Sequence, residues 1–180
     1  KEQLIVINRA GALGTKMNSF KEIVKNIPGV VNISSSTAIP GRTNNKNGYM
    51  MEGRKDETFL MATSWVDYDF LDTYGMTLVS GRSFNESFTS DKDACIINET
   101  ALKDFKVTEI DKARFLEPGD SGKVNYLPVI GVVKNFNFES LRNPISPYIL
   151  KLQNDNSLWG YITVRLSPQN YSKTISAIED

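Results

Sequence analysis

The chain contains no histidine and a single cysteine, Cys95, in its 180 residues. The first absence removes histidine general bases, serine–histidine triads and histidine metal ligands. The second excludes an internal disulfide framework and a cysteine-rich zinc site. Neither charge is in excess: Lys+Arg and Asp+Glu number 21 each, and the pI is near 6.6. The total therefore lacks the basic footprint of a nucleic-acid binder. No apolar run approaches the ~20 residues of a membrane-spanning helix, and no signal-peptide pattern is visible. Internal repeats and low-complexity segments are missing too. What is there, 40 % hydrophobic and 23 % charged residues, is enough to bury a core. Lys1 stands where a Met would open a gene product, and a helical pattern runs to Asp180. Both ends are expected to be cut from a longer protein.

The local patterns alternate between the two periods. Gln3 to Asn8 is short, apolar and β-branched, which predicts a buried strand. Met17, Phe20, Ile23, Val24 and Ile27 fall at helical spacing, and Pro28-Gly29 ends that helix. Val30 to Ser36 resumes extended structure, and Pro40 to Gly48 is polar and turn-rich. Tyr49–Glu52 and Thr58–Val66 read as the arms of a hairpin, the second apolar on both faces. Asp67 to Gly75 predicts a short helix, with Asp67 at the N-cap accepting a backbone N–H from Asp69 or Phe70, Asp69 on the helix dipole, Asp72 in solvent and Gly75 closing the end. Strands follow at Met76–Val79 and Ala94–Ile97. A helix capped by Asn98 then turns Ala101, Leu102 and Phe105 inward. Ala113–Leu116 and Lys123–Val133 flank a hairpin signal, and Glu139–Leu141 suggests one helical turn. Tyr148–Leu152 and Tyr161–Leu166 are strands, and Ser167-Pro168 precedes a helix bearing Tyr171, Ile175 and Ile178. This order of elements argues an α+β fold.

The candidate chemistry thins out on inspection. Gly11-Ala-Leu-Gly-Thr-Lys16 joins a strand to a helix, but a phosphate loop needs four residues between its glycines and the Lys directly before Ser/Thr. Asp67, Asp69 and Asp72 form the densest carboxylate cluster, and capping and solvation account for them without a metal. Cys95 sits in an apolar strand, where a thiol is buried and inert. Ser34, Ser35 and Ser36 lack both a nucleophile elbow and a histidine. Asn-x-Ser/Thr triplets begin at Asn32, Asn85, Asn98 and Asn170. No catalytic, cofactor-binding or metal-binding residue is assigned.

One resemblance reaches further. Val66-Asp-Tyr-Asp-Phe-Leu-Asp-Thr-Tyr-Gly-Met-Thr-Leu-Val-Ser-Gly-Arg-Ser-Phe84, followed by Ala94-Cys-Ile-Ile-Asn-Glu-Thr-Ala101, resembles the MacB-like periplasmic core domain of MacB/FtsX-type ABC transporter permeases, in the versions of Bacteroidetes-type permeases. Val129-Ile-Gly-Val-Val-Lys-Asn-Phe-Asn-Phe-Glu-Ser-Leu141, Ile27-Pro-Gly-Val30 and Ala38-Ile-Pro-Gly41 are similar to further motifs of that family. The match covers nearly the whole chain. Two departures stand out: Glu109-Ile-Asp-Lys112 lacks a family glycine, and Asn135 and Asn137 replace an Asp and a His common in relatives.

The resemblance implies two lobes. A βαβ-type, porter-like lobe is expected from both chain ends, residues 1–80 plus 142–180, and a smaller strand-rich, sabre-like lobe from residues 81–141. It implies an extracytoplasmic domain without catalysis or cofactor, with both ends close together on one lobe and feeding two membrane helices. ATP would be hydrolysed by a cytoplasmic ABC ATPase. Further partners implied are a second permease copy and a periplasmic partner or substrate, and no nucleic acid. The alternative is the ligand-sensing extracytoplasmic domain of a membrane receptor. A hydrolase is disfavoured by the missing histidine.

Overall fold

The buried apolar residues form two cores, one around Tyr49, Phe59 and Phe115 and one around Met17, Ile33 and Val164. The computed structural model describes residues 3–42, 44–119, 122–136, 144–153, 159–169 and 171–179. The chain divides into two compact units, Lys1–Thr37 with Val66–Met76 and Gln153–Asp180, and Ala38–Trp65 with Thr77–Leu152.

In the first unit, β1 (Gln3–Asn8), β10 (Tyr161–Leu166) and β2 (Val30–Ser36) form an antiparallel sheet in the order β1-β10-β2. Gln3 stands opposite Leu166 and Asn8 opposite Tyr161, so the first strand lies beside the last. Ile162, Val164 and Ile33 point to one face, where they meet Met17 and Val24 of helix α1 (Met17–Lys25) and Ile175 and Ile178 of α4 (Tyr171–Glu179). Ile23, one of the residues at helical spacing, is 67 % exposed. One apolar stripe suffices where a nine-residue helix covers a narrow sheet. On the other face, Thr163 receives Tyr74 of helix α2 (Phe70–Tyr74), with 2.7 Å between hydroxyls. Gly75 closes α2 in the left-handed region at φ 63°, and the N–H groups of Gly75 and Met76 reach the carbonyls of Asp72 and Leu71.

The second unit closes on itself. β4 (Arg54–Val66, its last residue belonging to the first unit), β3 (Lys46–Met51), β7 (Arg114–Pro118), β8 (Val124–Val133), β6 (Cys95–Asn98) and β9 (Tyr148–Leu152) pair in that order, and β9 returns to β4. The Ala62 N–H donates to the Pro147 carbonyl across that last seam. Only β6–β8 is parallel among the pairings described residue by residue in this ring. The strand β5 (Leu78–Gly81) is added outside, on β8. Inward side chains fill the ring: Tyr49, Phe59, Met61, Cys95, Phe115, Leu127, Val129 and Ile149 are buried together. Helix α3 (Glu99–Asp104) adds Ala101, and Phe105 follows with its ring 4.4 Å from Phe59 and 5.9 Å from Phe115. Each such aromatic stabilises the fold by about 1.5–3 kcal/mol through burial.

This ring explains where the chain divides. Residues 46–65 of the hairpin pack in the second unit rather than with the terminal segments, because Phe59 and Met61 fill the same interior as Phe115 and Leu127. Residues 77–80 and 144–152 go with it. The turn-rich loop after Pro40 ends at Lys46, where β3 begins. The helical turn expected at Glu139–Leu141 lies outside the described residues.

Candidate functional site

Three ion pairs and one surface groove carry the polar organisation of the molecule. The first pair corrects an expectation. Asp67 does not cap α2: the N-cap is Asp69, whose side chain makes no capping bond. Asp67 instead turns inward, accepting from Lys21 Nζ at 2.6 Å, Ser34 Oγ at 2.7 Å and the Ser35 N–H at 2.6 Å. A five-residue helix can leave its first N–H groups to water, whereas a lysine folded against the sheet cannot be left unpaired cheaply. The pair ties α1 to β2. Burial pushes the Asp67 carboxyl upward, against the opposing pull of Lys21, Ser34 and Ser35. The helix's C-terminal end is held as well, with Arg165 Nη1 donating to the Asp72 carbonyl at 2.8 Å.

The second pair explains the Gly-Arg-x-Phe motif. Gly81 has φ 70°, and a Cβ there would stand 2.2 Å from the Ile130 carbonyl oxygen, so only glycine lets β5 approach β8. Arg82 then grips Asp91 with both terminal nitrogens, each at 2.7 Å, while the Asn85 N–H donates to the same carboxylate at 2.9 Å. The Phe88 ring lies 4.5 Å from the guanidinium carbon, and Phe84 is buried. Burial would raise the Asp91 carboxyl, but the Arg82 fork and the Asn85 N–H outweigh it and hold the group below the usual carboxylate range. The motif folds a loop.

The third pair lies among the strands of the ring. Lys151, between apolar neighbours in β9, donates to both carboxylate oxygens of Glu117 at 2.7 and 2.5 Å. Its ammonium is 5.3 Å from the Trp65 ring and 6.0 Å from that of Tyr49. Tyr49 shares a 2.9 Å hydrogen bond with Thr63, and burial pushes its phenol up to about 12. Cys95 stands opposite Lys151 in the ladder. Its thiol is buried, points at the Leu127 carbonyl at 3.6 Å and is pushed up by desolvation, which leaves little thiolate.

The remaining singled-out residues scatter. Gly11–Lys16 lies in a 3₁₀ segment, Ala10–Lys16, where the Gly11 N–H is spent on the Trp159 carbonyl at 2.6 Å. Asn98 caps α3 through the Ala101 N–H, accepts the Tyr148 N–H and donates to the Ser146 carbonyl, each at 3.0 Å. So enclosed, it offers no acceptor for a glycan. Asn85 is exposed, with its side-chain oxygen accepting from the Ser87 N–H. Ser34, Ser35 and Ser36 are buried side by side in β2. Among the described residues no group of three or more Cys, Asp or Glu could hold a metal ion. A shallow groove of about 610 Å³ opens between Pro28–Val31 and Lys173–Ala177. Sequence reasoning missed all three ion pairs. The only local signal was a lone lysine inside an apolar strand.

Comparisons with known proteins agree with this framework. The model of the MacB-like periplasmic core domain matches residues 2–180. No curated protein gives a significant match. Among solved structures, the periplasmic region of MacB from Actinobacillus actinomycetemcomitans superposes with a TM-score of 0.65 at 13 % identity, over 97 % of this chain and 79 % of that one. A domain assigned to a permease protein of Porphyromonas gingivalis gives 0.62 at 20 % identity, over 92 % and 74 %. The extracellular domain of the noncanonic ABC-type transporter YknZ from Gram-positive bacteria gives 0.62 at 16 % identity, over 96 % and 88 %. These likenesses concern the fold. Among the described residues no helix is long and apolar enough to cross a membrane. With a family model matched from residue 2 to residue 180, the chain belongs to the family of MacB-like periplasmic core domains.

Proposed function

We propose that this domain serves an ABC transporter permease on the extracytoplasmic side of the membrane and transmits movement of the permease's membrane helices to a periplasmic substrate or partner. In this reading it performs no catalysis of its own, and a cytoplasmic ABC ATPase hydrolyses the nucleotide. A second permease copy completes the assembly. The unit bearing β1, β10 and α4 plays the porter-like part and the closed ring the sabre-like part. The observation that carries the reading is the pairing of β1 with β10, which brings the entering and leaving segments of the chain into one unit. A push on either would be felt by both.

Two measurements test it. Spin labels replace Ile23 in the first unit and Leu60 in the second, both more than 60 % exposed, in the full-length permease bound to its ATPase. The distance between them is expected to differ between the nucleotide-free and vanadate-trapped states, and an unchanged distance overturns the reading. Calorimetry of the 180-residue chain with ATP is expected to show no binding. Micromolar affinity lost on Lys16→Ala would contradict a domain without a nucleotide site.

A further inference from the structure

The groove in the first unit has two walls fixed to each other. Residues 27–31, the turn that opens β2, form one, and residues 173–177 of α4 form the other. Gly29, at φ 97°, lets them approach, since a Cβ there would stand 2.3 Å from Thr174 Oγ1. Thr174 Oγ1 donates to the Pro28 carbonyl at 3.0 Å, and the Ser167 N–H donates to the Gly29 carbonyl at 2.8 Å. These bonds pin α4 to the turn and leave between them about 610 Å³, a volume usual for small-molecule sites.

We propose that this groove binds a single-chain fatty acid, with the hydrocarbon tail against Ile27, Val30, Val31 and Ala177 and the carboxylate on Lys173 Nζ. The sign of the head follows from the lining, in which Lys173 is the only charged residue. Lys173 makes no ion pair among the described residues, so its ammonium is free to take an anion. One cation suits the single charge of a carboxylate. The nature of the body follows from what the walls have left to offer. Their apolar side chains are open to a ligand, and Val31 is 52 % exposed. Their main chain is largely spent: the carbonyls of Ile27, Pro28 and Gly29 accept from the Val30 N–H, Thr174 Oγ1 and the Ser167 N–H. Further along β2, Asn32 Oδ1 takes the Ile33 N–H at 2.9 Å and the Asp67 carboxylate takes the Ser35 N–H at 2.6 Å. A bound peptide draws its affinity from main-chain partners, which are scarce here, whereas a hydrocarbon tail needs none.

The inference does not rest on the proposed function, and its test uses the 180-residue chain alone. Amide spectra of the isotopically labelled chain are followed during titration with decanoate below its micelle concentration. Saturable shifts are expected at Gly29, Val30, Val31 and Lys173 to Ala177. Acetate, which has the head without the tail, should produce none of them. Decyltrimethylammonium, which has the tail with the opposite charge, should bind at least about tenfold more weakly. Lys173→Glu should reverse that preference. Ala177→Trp, which fills the groove from an exposed position on α4, should weaken decanoate at least about tenfold. Thermal midpoints of both variants confirm that they fold. Decanoate without saturable shifts overturns the proposal, as do shifts that acetate reproduces. Equal affinity for the two heads would mean adsorption to any apolar surface and overturns it too. So does a preference that Lys173→Glu leaves unreversed, or decanoate binding that survives Ala177→Trp. If a variant does not fold, the comparison of heads on the unmodified chain decides.

Discussion

The two units meet the same demands by opposite means. The first is an open sheet held by helices, and its buried carboxylate, Asp67, pairs with a lysine of α1. The second is a closed ring, and its enclosed carboxylate, Asp91, pairs with an arginine in a surface loop. The Asp91 side chain is wholly covered and that of Asp67 is 12 % exposed, yet burial raises the proton affinity of Asp67 while Asp91 is held low. Partner geometry accounts for the inversion. Asp91 has a planar fork and a backbone N–H aimed at it. Asp67 lies between helix and sheet, against the point charge of a lysine. The balance between burial and donors sets the direction: burial outweighs the donors at Asp67, and the donors outweigh burial at Asp91.

The largest effect is expected in the ring. Glu117→Ala strands the Lys151 ammonium among the ring's strands and should cost about 3–5 kcal/mol, read from the urea midpoint. Replacing both partners, Lys151→Met with Glu117→Leu, should recover most of that loss. A double variant as unstable as the single one would show that the pair is needed for something other than its own desolvation.

Next comes Gly81→Ala, which forces an L-residue to φ 70° and drives a Cβ into the Ile130 carbonyl. The left-handed backbone alone costs about 1–2 kcal/mol, and displacement of β8 adds to it. Gly53→Ala, also at positive φ but with no atom within 4 Å, should cost less. Equal losses in thermal melts would remove the close-approach argument for the Gly-Arg-x-Phe motif.

A smaller and more telling contrast is pH dependence. Asp91 has a depressed pKa, so its stabilisation is present above the unfolded value, about 3.8, and is lost as pH falls through the folded one. Asp67 has a raised pKa, so the native state binds its proton more tightly. Stability from that group falls as pH rises from about 3.8 through the folded value. Asp91→Asn should therefore flatten the acid limb of the stability curve, and Asp67→Asn should steepen it. The same slope change in both variants would contradict the inversion. The smallest effect is expected for Asp69→Ala, within about 0.5 kcal/mol, because that side chain makes no capping bond.

Much of this was legible from local pattern. The strands at Gln3–Asn8, Cys95–Asn98 and Tyr161–Leu166, the α4 helix, the Gly75 stop and the Asn98 cap all follow from signals within a few residues. The pairs that organise the polar sites are of another kind. Lys21 and Asp67 are 46 residues apart, and Lys151 and Glu117 are 34 apart. Asp67 preceded a helix and therefore read as its cap, while Ser34, Ser35 and Lys21 competed for it from a strand and a helix that no local rule brings near. Ring closure was equally hidden, since the β4–β9 seam and the parallel β6–β8 pair are properties of topology and not of any one strand.

The proposed function has movement entering through the unit that carries β1 and β10. Hydrogen exchange of the full-length permease with its ATPase, compared between nucleotide-free and vanadate-trapped states, addresses it directly. Amide protection in β1, β10 and α4 is expected to change between the states. No change anywhere in the domain, or a change confined to the ring, would contradict it.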